Sequence, residues 1–326
     1  MRKYILIFLF ISFSLITYSQ VINGTILDQQ TNNSISFASI YFSGTFDGII
    51  SDQDGNFELD ITKHASRPLT ISAVGYYSYT LTEFLSKEPL VVYLIPKIYE
   101  IKEVAISSKS LSRDRKSNLK KFKNAFLGKT NNARKCEIMN EEDITFNYGF
   151  DSDTLKAYAR EPILIHNGAL GYNITYYLDK FEYYKNSGNF FFTGNIIFNE
   201  DLNSESGQKQ SYDRSRKYAY SGSRMHFFRA LWADDLKSTK FSVKNPENKE
   251  YKYKDIVIQS DNHKKFLKDT GDLHIYYFTK LTKIKILKEQ VFFDKIGFFD
   301  PLGINWKGAM GRKRIADWLP YEYSIE

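Results

Sequence analysis

Asp52 and Asp54 precede Gly55 in "SDQDGNFEL", a spacing that could open a calcium loop. Such a loop needs oxygen ligands at further positions and a bidentate glutamate about seven residues past its third acidic ligand. Apolar alternation begins at Phe57 instead, so the stretch is expected to be a hairpin turn, with glycine taking positive φ and aspartate bonding its own backbone. Zinc catalysis needs preset imidazole or carboxylate ligands at short spacing and an open position. None of the five histidines, His64, His166, His226, His263 and His274, stands in an H-x-x-E or H-E-x-x-H arrangement. No G-x-S-x-G elbow, Walker loop or dinucleotide fingerprint occurs. The single cysteine, Cys136, lies in "CEIM", where Ile138 two residues on predicts the buried face of a strand rather than a reactive thiol. Acidic pairs such as Asp151 with Asp153, or Asp234 with Asp235, are expected as solvated turns or helix ends. No catalytic residue, metal site or cofactor is therefore assigned.

Two groups remain as ligand-binding candidates. Tyr220, Arg224, His226 and Arg229 cluster around a predicted helix start, where N–H groups and basic side chains could receive an anion. His166 and Asn167, followed by Gly168 and Gly171, form a polar loop between apolar strands, a usual place for recognition residues.

The elements that must position these residues are mostly strands. Aromatic residues make up 16% of the 326-residue chain, and their commonest pattern is alternation rather than helical spacing. Residues 20–106 read as short strands broken by Asn, Gly, Asp and Ser, which predicts a small antiparallel sandwich. Residues 136–326 read as a larger β-rich domain, with "FFFTGNIIFNE" carrying Phe190, Phe192, Ile196 and Phe198 on one face and Gly194 where a bulge or close approach would fit. "SGSRMHFFRALWADDL" is the clearest helix there, capped by Ser221 or Ser223, with Met225, Phe228 and Leu231 or Trp232 as its apolar stripe. Between the two domains, residues 107–135 form a basic linker with an amphipathic helix at about 113–128.

The formal charge of +7 is concentrated in that linker, where ten Lys or Arg between Lys109 and Lys135 face one acid, Asp114. Leu119, Phe122 and Phe126 fall at i, i+3 and i+7. The stripe is expected to dock on the following domain with the lysines solvated; peripheral contact with an anionic membrane is the alternative. At the front of the chain, Arg2 and Lys3 precede an apolar run from Tyr4 to Ile16 and the small residues Thr17 and Ser19, the pattern of a signal peptide over residues 1–19. Export to the periplasm or to an outer-membrane-associated position follows, and it makes nucleic acid a poor partner. A small outer-membrane barrel fits less well, because a helix interrupts the strands and evenly repeated ten-residue alternation is absent.

The succession "GTILDQQTNNSISFASIYFSGTFDGIISDQDGNFELDI", "LTISAVGYYSYTL" and "IKEVAI" resembles the carboxypeptidase-regulatory-like domain of Bacteroidota envelope proteins. Ser51 stands where that family usually has Thr in its T-D-x-D-G-x-F hairpin. The resemblance implies a transthyretin-like β-sandwich that is a non-catalytic accessory module. "FKNAFLGKTNNARKCEIMN", "EPILIHNGALGYNITYYLDKF", "YSGSRMHFFRAL" and "ADWLPYEY" resemble the C-terminal region of free-standing proteins that begin with this sandwich, a group without an established activity. The expected protein is mainly β and works by binding an envelope protein, glycan or peptide; a hydrolase with an unrecognised site in the C-terminal domain is the alternative.

Overall fold

The computed structural model describes residues 20–64, 67–84, 89–97, 108–147, 153–201, 206–260 and 264–325. The expected leader, the "IKEVAI" segment, Asp151 and His263 lie outside these residues.

The N-terminal body is a sandwich of strands β1 (Val21–Asp28), β2 (Ser39–Tyr41), β3 (Gly48–Ile50), β4 (Asn56–Asp60), β5 (Leu69–Ser72), β6 (Tyr79–Leu81) and β7 (Leu90–Leu94). One sheet runs β4-β1-β7 and the other β3-β2-β5-β6. In β4 the alternation works as expected: Phe57 and Leu59 are buried while Asn56, Glu58 and Asp60 are exposed. These side chains join Ile26, Ile40, Ile71 and Val92 in one core.

The turn ahead of β4 is a backbone device. Asp52 Oδ1 accepts from the N–H groups of Asp54 (2.9 Å) and Asn56 (2.7 Å). Gly55 takes φ +75°, and a Cβ there would lie 2.8 Å from the Ile26 carbonyl oxygen. A carboxylate oxygen satisfied by two N–H donors is a turn clasp, so calcium and a chelator are both expected to leave Tm unchanged. Asp52→Ala should lower stability by about 1–2 kcal/mol. A calcium-dependent rise in Tm that Asp52→Ala abolishes would contradict this.

The segment expected as a linker is part of the second body. Helix α1 (Ser108–Phe126) lies against a six-stranded sheet made by β8 (Cys136–Ile138), β9 (Ile144–Phe146), β10 (Thr154–Ala159), β11 (Ile163–Asn167), β12 (Tyr172–Tyr184) and β13 (Phe190–Glu200). Phe122 and Phe126 are fully buried and Leu119 half-buried, so the apolar stripe faces the sheet and is not free to enter a membrane. Lys120 remains exposed. Lys123 pairs with Glu141, and Arg115 donates to the carbonyls of Glu141 and Ile144. Arg314 closes the helix end by donating to the carbonyls of Asn124 (2.7 Å) and Ala125 (2.9 Å). Cys136 is buried in β8, and burial pushes its thiol up to about 12, which keeps it protonated and unreactive.

Helix α2 (Ser206–Tyr220) was not anticipated. Its buried positions Tyr212, Ala219 and Tyr220 are widely spaced among polar residues. Arg216 fills the gap by stacking on Tyr172, 4.2 Å from the ring centre, and donating to the Leu170 carbonyl at 2.7 Å. Lys313 caps its C-terminus by donating to the carbonyls of Tyr218, Ala219 and Ser221.

The stretch expected as one C-terminal domain contains a second core. Helix α3 (Arg224–Trp232) packs with β14 (Phe241–Lys244), β15 (Val257–Gln259), β16 (Lys265–Lys268), β17 (Leu273–Tyr277), β18 (Lys280–Ile286), β19 (Gln290–Phe293) and β20 (Ile304–Gly308). These strands form the sheets β14-β17-β18-β20 and β15-β16-β19. Phe227 and Phe228 are fully buried at its centre. The chain then returns to the second body, where Ile315, Ala316 and Leu319 join the α1 core. Among the described residues no helix is long and apolar enough to cross a membrane.

Candidate functional site

The three bodies meet around a cleft of about 820 Å3. The sandwich contributes a row of hydroxyls, Thr70, Ser78, Thr80 and Thr82, from the outer face of its β5-β6 edge. The second body contributes Tyr176 and the run Phe191–Ile196 of β13, and the third contributes Phe266, Phe292 and Phe298. Trp318 and Tyr321 of the C-terminal tail complete the aromatic side. The lining also holds the carboxylates Asp179, Asp300 and Asp317 and the lysines Lys264 and Lys288, while its exposed surface is mostly apolar, the usual balance of a binding site.

Direct contacts position the walls. Ser39 Oγ and Tyr177 Oη share a hydrogen bond of 2.9 Å, and Lys97 Nζ donates to the Leu178 carbonyl at 2.9 Å. Gly44 N–H donates to the Ile196 carbonyl (2.8 Å), while the Gly44 carbonyl accepts from Tyr321 N–H (2.8 Å). Arg67 is 3% exposed, lies over the rings of Tyr321 (4.7 Å) and Phe298 (5.2 Å), and sits 3.8 Å from Asp294. One arginine of the sandwich thus grips both the third body and the tail. The expected close approach at Gly194 is present: a Cβ there would lie 2.2 Å from the Tyr177 carbonyl oxygen, opposite an irregularity in β12 between Leu178 and Lys180.

The six candidate residues do not converge. Asn167 is fully buried and structural: its Oδ1 accepts from the N–H groups of Ala169 and Leu170, and its Nδ2 donates to the Ala316 carbonyl. His166 sits beside it on β11, with Nδ1 bonded to Asn173 Oδ1 at 3.1 Å, away from the cleft. Tyr220 is buried against His226 and Tyr323. Arg229 donates to three carbonyls, those of Ile296 (2.9 Å), Tyr323 (2.7 Å) and Tyr321 (2.9 Å), and so clamps the tail. Of the six, Arg224 alone lines the cleft.

Ser223 caps α3 as expected, accepting from His226 N–H at 3.1 Å. His226 Nδ1 accepts from Gly222 N–H, and its ring packs among Tyr220, Phe241 and Tyr277. Burial, with Lys313 and Arg229 nearby, lowers its pKa to about 4. In the unfolded chain His226 titrates near about 6.5, so between these values the unfolded state binds the extra proton. The contribution of neutral His226 to stability is complete above the unfolded value and is lost as pH falls toward 4. Urea midpoints measured from pH 7 to pH 4 should fall more steeply for the native chain than for His226→Leu. Parallel profiles would contradict this.

One grouping had no sequence signal, because its members are far apart in the chain. Asp47, His64 and Glu322 bring three potential ligand atoms within 4.8 Å of one another. His64 Nε2 is 2.7 Å from Asp47 Oδ2, and its Nδ1 faces Arg67 Nη1 at 3.5 Å. A guanidinium beside the imidazole opposes a dication. Nε2 is within hydrogen-bond distance of the Asp47 carboxylate and Nδ1 faces the Arg67 guanidinium, so both ring nitrogens are engaged. The grouping works as a strut joining the sandwich to the tail, where Glu322 Oε1 accepts from Phe46 N–H at 3.3 Å.

Arg224 is different. Its Nε is buried without a hydrogen-bond acceptor, and its guanidinium lies 5.0 Å from the Trp306 ring centre. Burial lowers its pKa to about 10, which leaves it charged at neutral pH. No curated protein matches the chain. The model of the CarboxypepD_reg-like domain matches residues 22–106, a range that takes in the strands β2 to β7 and nearly all of β1 of the sandwich that forms the hydroxyl wall. Residues 22–106 are therefore a CarboxypepD_reg-like domain.

Proposed function

We propose that the protein is an exported accessory component of the cell envelope that binds an envelope peptide, protein segment or glycan in the cleft between its three bodies. The sandwich acts as the docking module and supplies one wall. The observation that carries this reading is the cleft itself, with hydroxyls on one side, aromatic rings on the other and an arginine between them whose Nε has no acceptor among the described residues. Regulatory-like sandwiches often serve as binding modules, which agrees with this placement. The leader-like residues 1–19 support export. The hydrolase alternative finds less support, since His64, which stands beside Asp47 and Glu322, has both ring nitrogens engaged.

Calorimetric titration with panels of peptides and glycans tests the proposal. Thr80 is exposed and lines the cleft, so Thr80→Trp should obstruct it without disturbing a core. A ligand found in the panels should bind this variant about tenfold or more weakly at unchanged Tm. Equal binding by the variant, or no binding by any member, would count against the cleft.

A further inference from the structure

The cleft has a partly open strand edge along one side and, within it, an arginine whose Nε has no acceptor among the described residues. Strand β13 pairs with β12 on one side, and its other edge is used over a short length: Ile196 and Phe198 bond the Ser43–Thr45 loop of the sandwich, in a parallel bridge between Thr45 and Ile197. Backbone orientation repeats every two residues along a strand, so Gly194 and Phe192 turn their N–H and C=O groups to that same outer edge. Among the described residues no other strand pairs with this outer edge, and Phe191–Ile196 line the cleft. An edge with open hydrogen-bonding groups and flanking side-chain walls is a template for an added strand.

Arg224 lines the same cleft, and its Nε has no acceptor. The Trp306 indole beneath it has a buried Nε1 that also lacks one. Arg224 therefore brings to the cleft a guanidinium whose Nε makes no hydrogen bond among the described residues. A guanidinium fork fits a carboxylate with two parallel hydrogen bonds.

Building on the cleft reading above, we infer that the occupant is an extended peptide that pairs with β13 over Phe190–Gly194, in line with the Ser43–Thr45 loop, and sets a carboxylate on Arg224. Its alternate side chains would meet the aromatic wall. The main chain supplies affinity and the carboxylate supplies polarity and register.

The probe is a synthetic octapeptide of alternating valine and threonine ending in phenylalanine, prepared with a free C-terminus, with an amidated C-terminus, with a C-terminal amide and an internal glutamate, and with N-methyl groups on alternate residues. Calorimetry should show binding of the free-acid form. Amidation should weaken it about tenfold or more, and alternate N-methylation should abolish it. Restored affinity in the glutamate form would identify a side-chain carboxylate as an equivalent source. Arg224→Gln should weaken the free-acid peptide by the same factor as amidation and have no further effect on the amidated one, since both remove one interaction. Equal affinity for the acid and amide forms, or additive losses from amidation and Arg224→Gln, overturns the inference. If glycans bind in a Thr80→Trp-sensitive manner and no peptide does, the strand-addition inference fails while the cleft reading stands; if nothing binds, both fail.

Discussion

Arg229→Met is expected to lower the unfolding free energy by about 3–5 kcal/mol and to expose the C-terminal tail to proteolysis. The side chain donates three charge-assisted hydrogen bonds, to the carbonyls of Ile296, Tyr321 and Tyr323, and its guanidinium lies 5.3 Å from the Tyr220 ring centre. Each such bond contributes more than a neutral one, and removing the donor leaves the carbonyls without a partner. Methionine keeps much of the apolar stem, so the loss reports the hydrogen bonds rather than packing. The effect reaches beyond the tail. Tyr321 also donates to Gly44 and stacks under Arg67, so a freed tail loosens the sandwich against the other two bodies. Urea denaturation with the midpoint read by circular dichroism gives the free energy, and limited proteolysis with mass spectrometry gives the site of cleavage. A change under about 1 kcal/mol, with the tail still protected, would contradict the clamp.

Phe126→Ala is expected to cost about 3–5 kcal/mol, the usual price of removing a buried aromatic side chain. Phe126 is fully buried, with ring centres 5.0 Å from Phe122, 4.9 Å from Tyr176 and 5.3 Å from Phe192. A residue on a solvated linker would cost less than about 0.5 kcal/mol, so the result separates an integral helix from a connector. Phe192 and Tyr176 belong to the cleft as well. The same substitution should therefore weaken cleft binding, whereas Lys120→Ala, on the exposed side of α1, should leave both properties unchanged.

Much of the sandwich could be read in advance because its information is local. The alternation in "NFELD" and the Asp-Gly turn each depend on neighbours within a few residues, and the structure keeps both. The Phe122 and Phe126 stripe was equally visible, and its docking on the following domain is kept, but which strands it meets, β12 and β13, depends on contacts made far along the chain. Helix α2 escaped because its inward face is built from tyrosines and an arginine stem rather than aliphatic residues. The candidate site was legible only in part. Basic residues at the start of α3 were visible as a cluster, yet nothing local distinguishes Arg229, which turns to the tail carbonyls, from Arg224, five residues earlier, which opens to the cleft. The strut of Asp47, His64 and Glu322 spans nearly the whole chain and had no spacing to reveal it.

The cleft is tested most directly by photo-crosslinking in the cells that make the protein. A benzophenone amino acid at Thr80 would report on what occupies the cleft, and the same group at Tyr93, exposed on β7, would report on the outer surface of the sandwich. The account predicts one discrete adduct from position 80 that disappears in Arg224→Gln and is absent from position 93. Adducts at position 93 alone, or equal labelling at both positions regardless of Arg224, would place the working surface elsewhere.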